Sequence, residues 1–233
     1  MKLNPTLAVS EIPTGSAVNT SKTDPVTPSQ GSPTNKTYSG KSAQSVTLHM
    51  SGEESKLFKE YLAGRHLYLE FGCGGSTVAA AQAGIQRIVS VESDLAWINM
   101  LREHPSLGGK DVTFHHADVG ETGAWGKPTS DRYAFRWPTY SQIPWAELGD
   151  AVPDVVLVDG RWRVACALQT IVRCPPTTLL MFHDFWKRGH YHGVLNYTDH
   201  VATAGTLAVL RPRQNVDFRA LATDLATHTL DYR

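Results

Sequence analysis

The sequence lacks the features that mark several classes of protein. Its 233 residues contain three cysteines, an odd number too small for a disulfide framework. No apolar run approaches the roughly 18 residues that a membrane helix needs. Basic and acidic residues balance at 22 each, so we expect neither nucleic acid nor a membrane as a partner. Because no apolar stretch follows Lys2, we predict no secretory signal and expect a cytoplasmic protein with reduced thiols.

Residues 1–45 differ in composition from the rest of the chain. Ser, Thr and Pro dominate this segment, and Tyr38 is its only aromatic residue. So few apolar groups cannot offset the conformational entropy that folding would cost. We therefore predict a disordered Ser/Thr/Pro-rich tail over residues 1–45 and one folded domain over residues 46–233.

Beyond the tail, apolar strand patterns alternate with helical patterns. A capping box at Ser51 begins the first helix, and further helices are predicted over 76–83, 94–104, 164–172 and 190–203. Strands are predicted over 66–71, 87–91, 112–117, 155–158, 178–182 and 206–210. Residues 119–150 suggest a long loop with a short helix near 144–148, and residues 216–233 give no clear assignment. The alternation predicts an α/β fold, a Rossmann-like doubly wound and mostly parallel sheet of about seven strands with helices on both faces.

Five acidic residues end the first five predicted strands: Glu70, Glu92, Asp118, Asp159 and Asp184. In parallel sheets of this kind, the ligand lies beyond the carboxyl ends of the strands. We therefore predict the functional site at this edge. The alternative for any single one of these residues is a solvated loop carboxylate or a helix cap.

The first strand leads into a glycine turn, Glu70-Phe71-Gly72-Cys73-Gly74, which precedes a helix. This pattern resembles motif I (acidic-x-Gly-x-Gly) of the class I S-adenosylmethionine-dependent methyltransferases. The resemblance implies S-adenosylmethionine as cofactor, with Glu70 meeting its methionine end directly or through water, and with Gly72 and Gly74 letting backbone pass close to it. Glu92, 20 residues after Gly72, would then accept hydrogen bonds from the ribose hydroxyls, and Asp118 one from the adenine amino group.

A nicotinamide or flavin site is the main rival interpretation of the glycine turn. Such a site also needs Gly-x-Gly and an acid about 20 residues further on. Here Thr77 stands at the third glycine position, so that fingerprint is incomplete. A carboxylate at Glu70 would also repel pyrophosphate while attracting a cationic amino acid. Charge therefore favours S-adenosylmethionine.

Candidate catalytic residues follow the fourth and fifth strands: Asp159, His183 and Asp184. The two aspartates are similar in position to those of the divalent-cation-dependent O-methyltransferases, which add an Asn after the second one. Phe185 takes that Asn position and cannot ligate, so any metal would be held by Asp159, His183 and Asp184, a set better suited to zinc or iron than to magnesium. Without a metal, His183 or Asp184 would act as general base, or His183 would have only a structural role.

The surroundings of these residues leave further alternatives open. Arg161 and Arg163 would hold an anionic acceptor or form salt bridges with the acidic residues. His190 and His192 are expected at the surface or at a helix cap. The 119–150 segment would form either an acceptor lid or a small core of its own from its aromatic residues Trp125, Tyr133, Phe135, Trp137, Tyr140 and Trp145.

The reaction is predicted by analogy. Residues 158–163 and 183–185 are similar to a group of uncharacterised bacterial methyltransferase-like proteins. We expect an S-adenosylmethionine-dependent methyltransferase that acts on an oxygen of a small-molecule or saccharide-like acceptor. The alternatives are a non-catalytic S-adenosylmethionine-binding or Rossmann-like module and, less directly, aminopropyl transfer of the spermidine-synthase type. The oligomeric state is not predicted.

Overall fold

The computed structural model describes residues 42–233, so most of the tail predicted over residues 1–45 lies outside the described residues. The described chain forms one sheet, whose strands are β1 Leu67–Phe71, β2 Arg87–Glu92, β3 Asp111–His116, β4 Val155–Val158, β5 Leu179–Phe182, β6 Thr198–Ala204 and β7 Leu207–Pro212. Its helices are α1 Gly52–Leu62, α2 Gly75–Gln82, α3 Leu95–Arg102, α4 Pro138–Leu148, α5 Arg163–Arg173 and α6 Phe218–His228.

The seven strands lie in the order β3-β2-β1-β4-β5-β7-β6. Strands β1 to β5 are parallel, whereas β7 runs antiparallel to both β5 and β6. The predicted α/β fold with a mostly parallel sheet is therefore confirmed. Because β1 to β5 point the same way, all five acidic strand-end residues lie at one edge of the sheet.

Helices cover both faces of the sheet. Side chains of α1, α2 and α3 pack on one face around Phe58, Ile88 and Leu101. On the other face, α4, α5 and α6 pack around Phe71 and Trp162. The strand β4 is buried on both faces, which explains its continuous apolar sequence. Within residues 42–233, no helix is long and apolar enough to cross a membrane.

Two predicted elements were wrong. The predicted helix over residues 190–203 is a 3-10 helix, Gly189–Asn196, followed by strand β6. Gly205, with φ +52°, then turns the chain into β7, and polar residues on the exposed face of β6 had hidden its strand pattern. Helix α4 is also longer than predicted, because Pro138 begins it and Pro144 lies inside it instead of marking its start.

The unassigned C-terminal segment forms helix α6. Asp217 caps this helix, because its side chain accepts hydrogen bonds from the backbone N–H groups of Arg219 and Ala220. Leu221 is the residue of α6 that is fully buried. A single buried position explains why the sequence pattern here was weak.

Candidate functional site

The glycine turn after β1 brings two backbone segments unusually close together. Gly72 has φ +98°, and a Cβ on it would lie 2.6 Å from the Cα of Gly160, the second residue after β4. A Cβ on Gly160 would in turn collide with the hydroxyl of Tyr140. Gly74 differs, since a Cβ there would meet only the Trp97 ring, at 3.7 Å. Gly72 therefore serves strand packing, whereas bare backbone at Gly74 leaves room for a ligand.

Glu70 is fully buried beneath the glycine turn. Its carboxylate accepts hydrogen bonds from four hydroxyls, those of Tyr68 at 3.0 Å, Ser76 at 2.6 Å, Thr77 at 2.5 Å and Ser90 at 2.6 Å. Burial raises the pKa of Glu70, and these hydrogen bonds partly oppose that effect. All its contacts are internal, so the structure gives Glu70 a role in shaping the turn and the start of α2. The expected contact with a cofactor stays a prediction.

Glu92 ends β2 with one carboxylate oxygen engaged and one open. Its Oε1 accepts hydrogen bonds from the backbone N–H groups of Ser93, at 2.6 Å, and Asp94, at 3.1 Å. Its Oε2 takes no hydrogen bond from the described residues. Burial raises the pKa of Glu92 to about 7. Gly126 packs on this site, because the Ser93 hydroxyl donates to its carbonyl and a Cβ on it would lie 2.9 Å from Oε1 of Glu92.

Asp118 lies at the exposed rim of the same edge. Its Oδ2 pairs with Arg136 at 2.6 Å, and its Oδ1 accepts from the Gly120 N–H. The structure therefore places Asp118 after β3, as expected, but gives its carboxylate protein partners. Hydrogen bonding to adenine stays a prediction.

Asp159 and His183 meet across the neighbouring strands β4 and β5. Nδ1 of His183 lies 2.9 Å from Oδ1 of Asp159, so the neutral imidazole donates its Nδ1–H and leaves Nε2 as an acceptor. On its other side, Nε2 lies 3.7 Å from Oε2 of Glu54 in α1. Burial lowers the pKa of His183, but Asp159, Asp184 and Glu54 outweigh it and hold the pKa above 6.5.

Glu54 is the member of this site that sequence analysis missed. Its Oε1 accepts hydrogen bonds from the N–H and hydroxyl of Thr206, at 2.6 and 2.7 Å, and its Oε2 accepts from the Ser51 N–H at 2.8 Å. Although burial raises the pKa of Glu54, these hydrogen bonds lower it to about 2. The capping-box spacing indicated the contact with Ser51. No local signal indicates contact with residues more than 100 positions away.

Arg163 connects the ends of strands β4 and β5 through its guanidinium group. Its guanidinium donates to the carbonyl oxygens of Asp159, Gly160 and His183 at 2.8 to 2.9 Å. It also lies 3.1 Å from the carboxylate of Asp159 and 3.5 Å from that of Asp184. Asp184, with φ +60°, pairs more closely with Arg188, at 2.8 Å. The salt-bridge alternative therefore holds for Arg163.

Asp159, His183 and Asp184 bring one ligand atom each to within 4.8 Å of one another, so the three residues do converge. Their donor atoms are already engaged, however. Arg163 contacts both carboxylates and supplies the positive charge between them. Phe185, at the Asn position, is fully buried against Phe182. The carboxylates of Asp159 and Asp184 do not fit a divalent cation while Arg163 is paired with them.

The aromatic residues of the 119–150 segment divide into two groups. Trp137, Tyr140 and Trp145 are buried against the sheet. Trp125 and Phe135 are 78% and 75% exposed, and the Trp125 ring meets His49 edge-on at 6.0 Å. The small-core expectation therefore holds for Trp137, Tyr140 and Trp145, whereas Trp125 and Phe135 are exposed to solvent. Of the two histidines expected at the surface or at a helix cap, His190 is exposed, and Nε2 of His192 contacts the carbonyl of Phe185 at 3.1 Å.

A cleft opens beside His183 between α1, the start of the β5–β6 connection and the β6–β7 turn. Its volume is about 810 Å³, and its lining includes His49, Glu54, His183, Asp184, Trp186 and Lys187.

Comparisons with known proteins show which superfamily this fold belongs to. No protein-family model matches the chain, and no curated protein matches it. Among solved structures, a methyltransferase-like protein from Silicibacter pomeroyi is 33% identical, with a TM-score of 0.72 over 80% of this chain and 98% of that chain. The chain belongs to the class I S-adenosylmethionine-dependent methyltransferase superfamily. The superfamily resemblance drawn from the glycine turn is thereby confirmed.

A more distant solved structure shares this fold. The cofactor-bound protein Rv0187 from MTB is 16% identical to this chain, with a TM-score of 0.50 over 74% of this chain and 86% of that chain. At that identity the likeness concerns the fold alone. The individual roles of Glu70, Gly72, Gly74, Glu92 and Asp118 in cofactor binding, and of Asp159, His183 and Asp184 in catalysis, stay predictions.

Proposed function

We propose that this protein transfers the methyl group of S-adenosylmethionine to an oxygen atom of a small-molecule or saccharide-like acceptor. Bound at the strand ends, the cofactor supplies a methyl group activated by a positively charged sulfonium. The observation that carries the proposal is the Asp159–His183 pair, which forms an oriented base at the edge where the superfamily fold binds its ligands.

Two features of the described residues support binding of the cofactor, an open carboxylate oxygen and the bare backbone of a glycine. The open Oε2 of Glu92 is an acceptor for a ribose hydroxyl, and its oxygen Oε1 is fixed in place by two backbone N–H groups. Gly74 leaves bare backbone with only Trp97 nearby, so a ligand can approach the turn closely. Glu70 supports both features indirectly, because its four hydroxyl partners hold the turn and the start of α2 together.

His183 removes the proton of the acceptor hydroxyl in this proposal. Asp159 fixes the tautomer in which Nδ1 carries hydrogen and Nε2 accepts, and His183 lines the 810 Å³ cleft. The cofactor would supply the methyl group and leave as S-adenosylhomocysteine, and Nε2 of His183 would take the proton of the acceptor hydroxyl. Glu54 then lies 3.7 Å from the imidazolium and stabilises its charge.

The cleft favours a polar acceptor. Carboxylates, a lysine and two histidines share its lining with Trp186, Leu48 and Met50, so hydroxyl groups find hydrogen-bond partners while an apolar face packs against the indole. This mixture suits a hydroxylated small molecule better than a purely apolar one.

The test is an acceptor screen that measures S-adenosylhomocysteine release with phenols, sugars and hydroxy acids. With the best acceptor, His183→Gln should lower kcat by about 10²- to 10⁴-fold, the usual contribution of a general base. His190→Gln, at an exposed position, is the matched control.

The pH profile adds a readout that a purely structural role would not change. Because Asp159 helps to hold the pKa of His183 above 6.5, kcat should rise with pH through a limb above that value, and Asp159→Asn should move the limb to lower pH. Full turnover by His183→Gln would contradict the base assignment. Cofactor binding without turnover of any acceptor would favour the non-catalytic module instead.

A further inference from the structure

Arg161 is held rigidly at the carboxyl end of β4. Its backbone N–H donates to the Tyr140 hydroxyl at 3.3 Å, and its carbonyl accepts from the thiol of Cys166 at 3.5 Å. The next residue, Trp162, is fully buried with φ +48° and packs on Tyr140 at 5.0 Å between ring centroids. A left-handed conformation costs a non-glycine residue about 1 kcal/mol or more, and such strain concentrates at functional sites. The fold therefore fixes where the side chain of Arg161 begins.

The side chain of Arg161 has no hydrogen-bond or ion-pair partner in the described part of the chain, in contrast to Arg163. Arg163 donates to three carbonyl oxygens and contacts two carboxylates. Arg161 forms no side-chain hydrogen bond or ion pair within residues 42–233, and its Nε is buried and unsatisfied. Leaving a buried donor unpaired costs about 1 to 3 kcal/mol. Nothing within residues 42–233 therefore completes the hydrogen bonding of the Arg161 side chain.

The surroundings of Arg161 carry excess positive charge. Burial lowers the pKa of Arg161, and the positive charges of Arg163 and Arg188 lower it further. Both of these arginines contact Asp184, and Arg163 also contacts Asp159, so the two carboxylates are already neutralised. Arg163 and Arg188 thus engage both carboxylates, and Arg161 pairs with neither.

We propose that Arg161 binds a carboxylate or phosphate group of a ligand at the ends of β4 and β5. A guanidinium recognises either group through two parallel hydrogen bonds. Nε of Arg161 is buried, whereas its two Nη groups are not, and no residue within 42–233 bonds them, so an anion would bind at the Nη groups and offset the local positive charge. The inference rests on the proposed function, within which the anion has two sources. It is the methionine carboxylate of the cofactor or an acidic group on the acceptor.

Calorimetry with Arg161→Gln separates the two sources. The probes are S-adenosylhomocysteine, 5′-methylthioadenosine, which lacks the amino-acid carboxylate, and then inorganic phosphate and benzoate, each titrated with and without saturating S-adenosylhomocysteine. If the cofactor supplies the anion, Arg161→Gln weakens S-adenosylhomocysteine about tenfold or more and leaves 5′-methylthioadenosine unchanged. If the acceptor supplies it, S-adenosylhomocysteine is unaffected and binding of phosphate or benzoate is lost.

Two controls keep the test decisive. Arg211→Gln removes one exposed arginine of β7 and should bind every probe like the wild type. Arg161→Lys keeps the charge but not the paired hydrogen bonds, so its affinities should be intermediate, and it replaces Arg161→Gln if that variant fails to fold. Wild-type affinities for all probes in both variants would overturn the proposal. A wild-type protein that binds no S-adenosylhomocysteine would refute the proposed function, while phosphate and benzoate would still decide the role of Arg161.

Discussion

Gly72 and Gly160 lie back to back where the first and fourth strands end, and a Cβ on Gly72 would lie 2.6 Å from the Cα of Gly160. This contact brings the glycine turn against the segment that carries Asp159 and Arg161. The proposed cofactor side and the proposed acceptor side of the site therefore meet through two glycines, with no side chain between them.

Gly72→Ala should destabilise the protein strongly. The substitution adds left-handed strain of about 1 to 2 kcal/mol and a backbone collision of about 1 to 3 kcal/mol. Gly84→Ala is the matched control, because Gly84 has φ +96° but nothing within 4 Å of its added Cβ. Thermal unfolding should show a clearly larger loss of Tm for Gly72→Ala. Equal losses of Tm in the two variants would show that the contact with Gly160 does not contribute to stability.

Binding of S-adenosylmethionine should strengthen between pH 6 and pH 8. Glu92 has a pKa of about 7 through burial, with the charge of Asp94 adding to the effect, and ribose hydroxyls bond best to its ionised form. Glu92→Gln should weaken binding about tenfold to a hundredfold at pH 8 and remove the pH dependence. Glu121→Gln, an exposed change in the following loop, should leave the calorimetric profile intact. A pH slope retained in Glu92→Gln would assign it to another group.

Glu54 should stabilise the fold most above pH 5. Its pKa is lowered from 4.5 to about 2, so its contribution to unfolding free energy is present above pH 4.5 and is lost as pH falls toward 2. Urea unfolding of Glu54→Gln should therefore differ most from wild type at neutral pH, with the gap narrowing in acid. Glu53→Gln changes the neighbouring exposed carboxylate of the same helix and serves as control. A gap independent of pH would contradict the assignment.

Chelation should leave methyl transfer unchanged. Arg163 already neutralises Asp159 and Asp184, and Phe185 removes the third oxygen ligand of the cation-dependent pattern. Activity with the best acceptor should survive dialysis against EDTA, and added magnesium, manganese or zinc should not raise it. If activity were lost on dialysis and restored by one cation, a metal would have to replace Arg163 at the carboxylates of Asp159 and Asp184.

The sheet and the strand-end edge were predictable because their signals are local. Strand β4 has an uninterrupted apolar sequence, and Glu92 directly ends the pattern of β2. Strand β6 was missed because its exposed face breaks the hydrophobic alternation, and α4 was cut short because Pro144 normally ends a helix.

The hydrogen bonds and ion pairs within the site were not predictable from local sequence patterns. Glu54 and Thr206 are 152 residues apart in the chain, yet they bond at 2.6 Å. The sequence also left Arg161 and Arg163 equivalent, and only the geometry separates a saturated arginine from an unpaired one. Such differences depend on which strands become neighbours, so they follow from the fold as a whole.

Calorimetric titration of the full chain with S-adenosylmethionine and S-adenosylhomocysteine, with NAD as control, tests the central claim most directly. We expect both sulfur compounds to bind at one site and NAD not to bind, with Glu92→Gln weakening both. Tight binding of NAD, or no binding of either sulfur compound, would contradict the proposed cofactor.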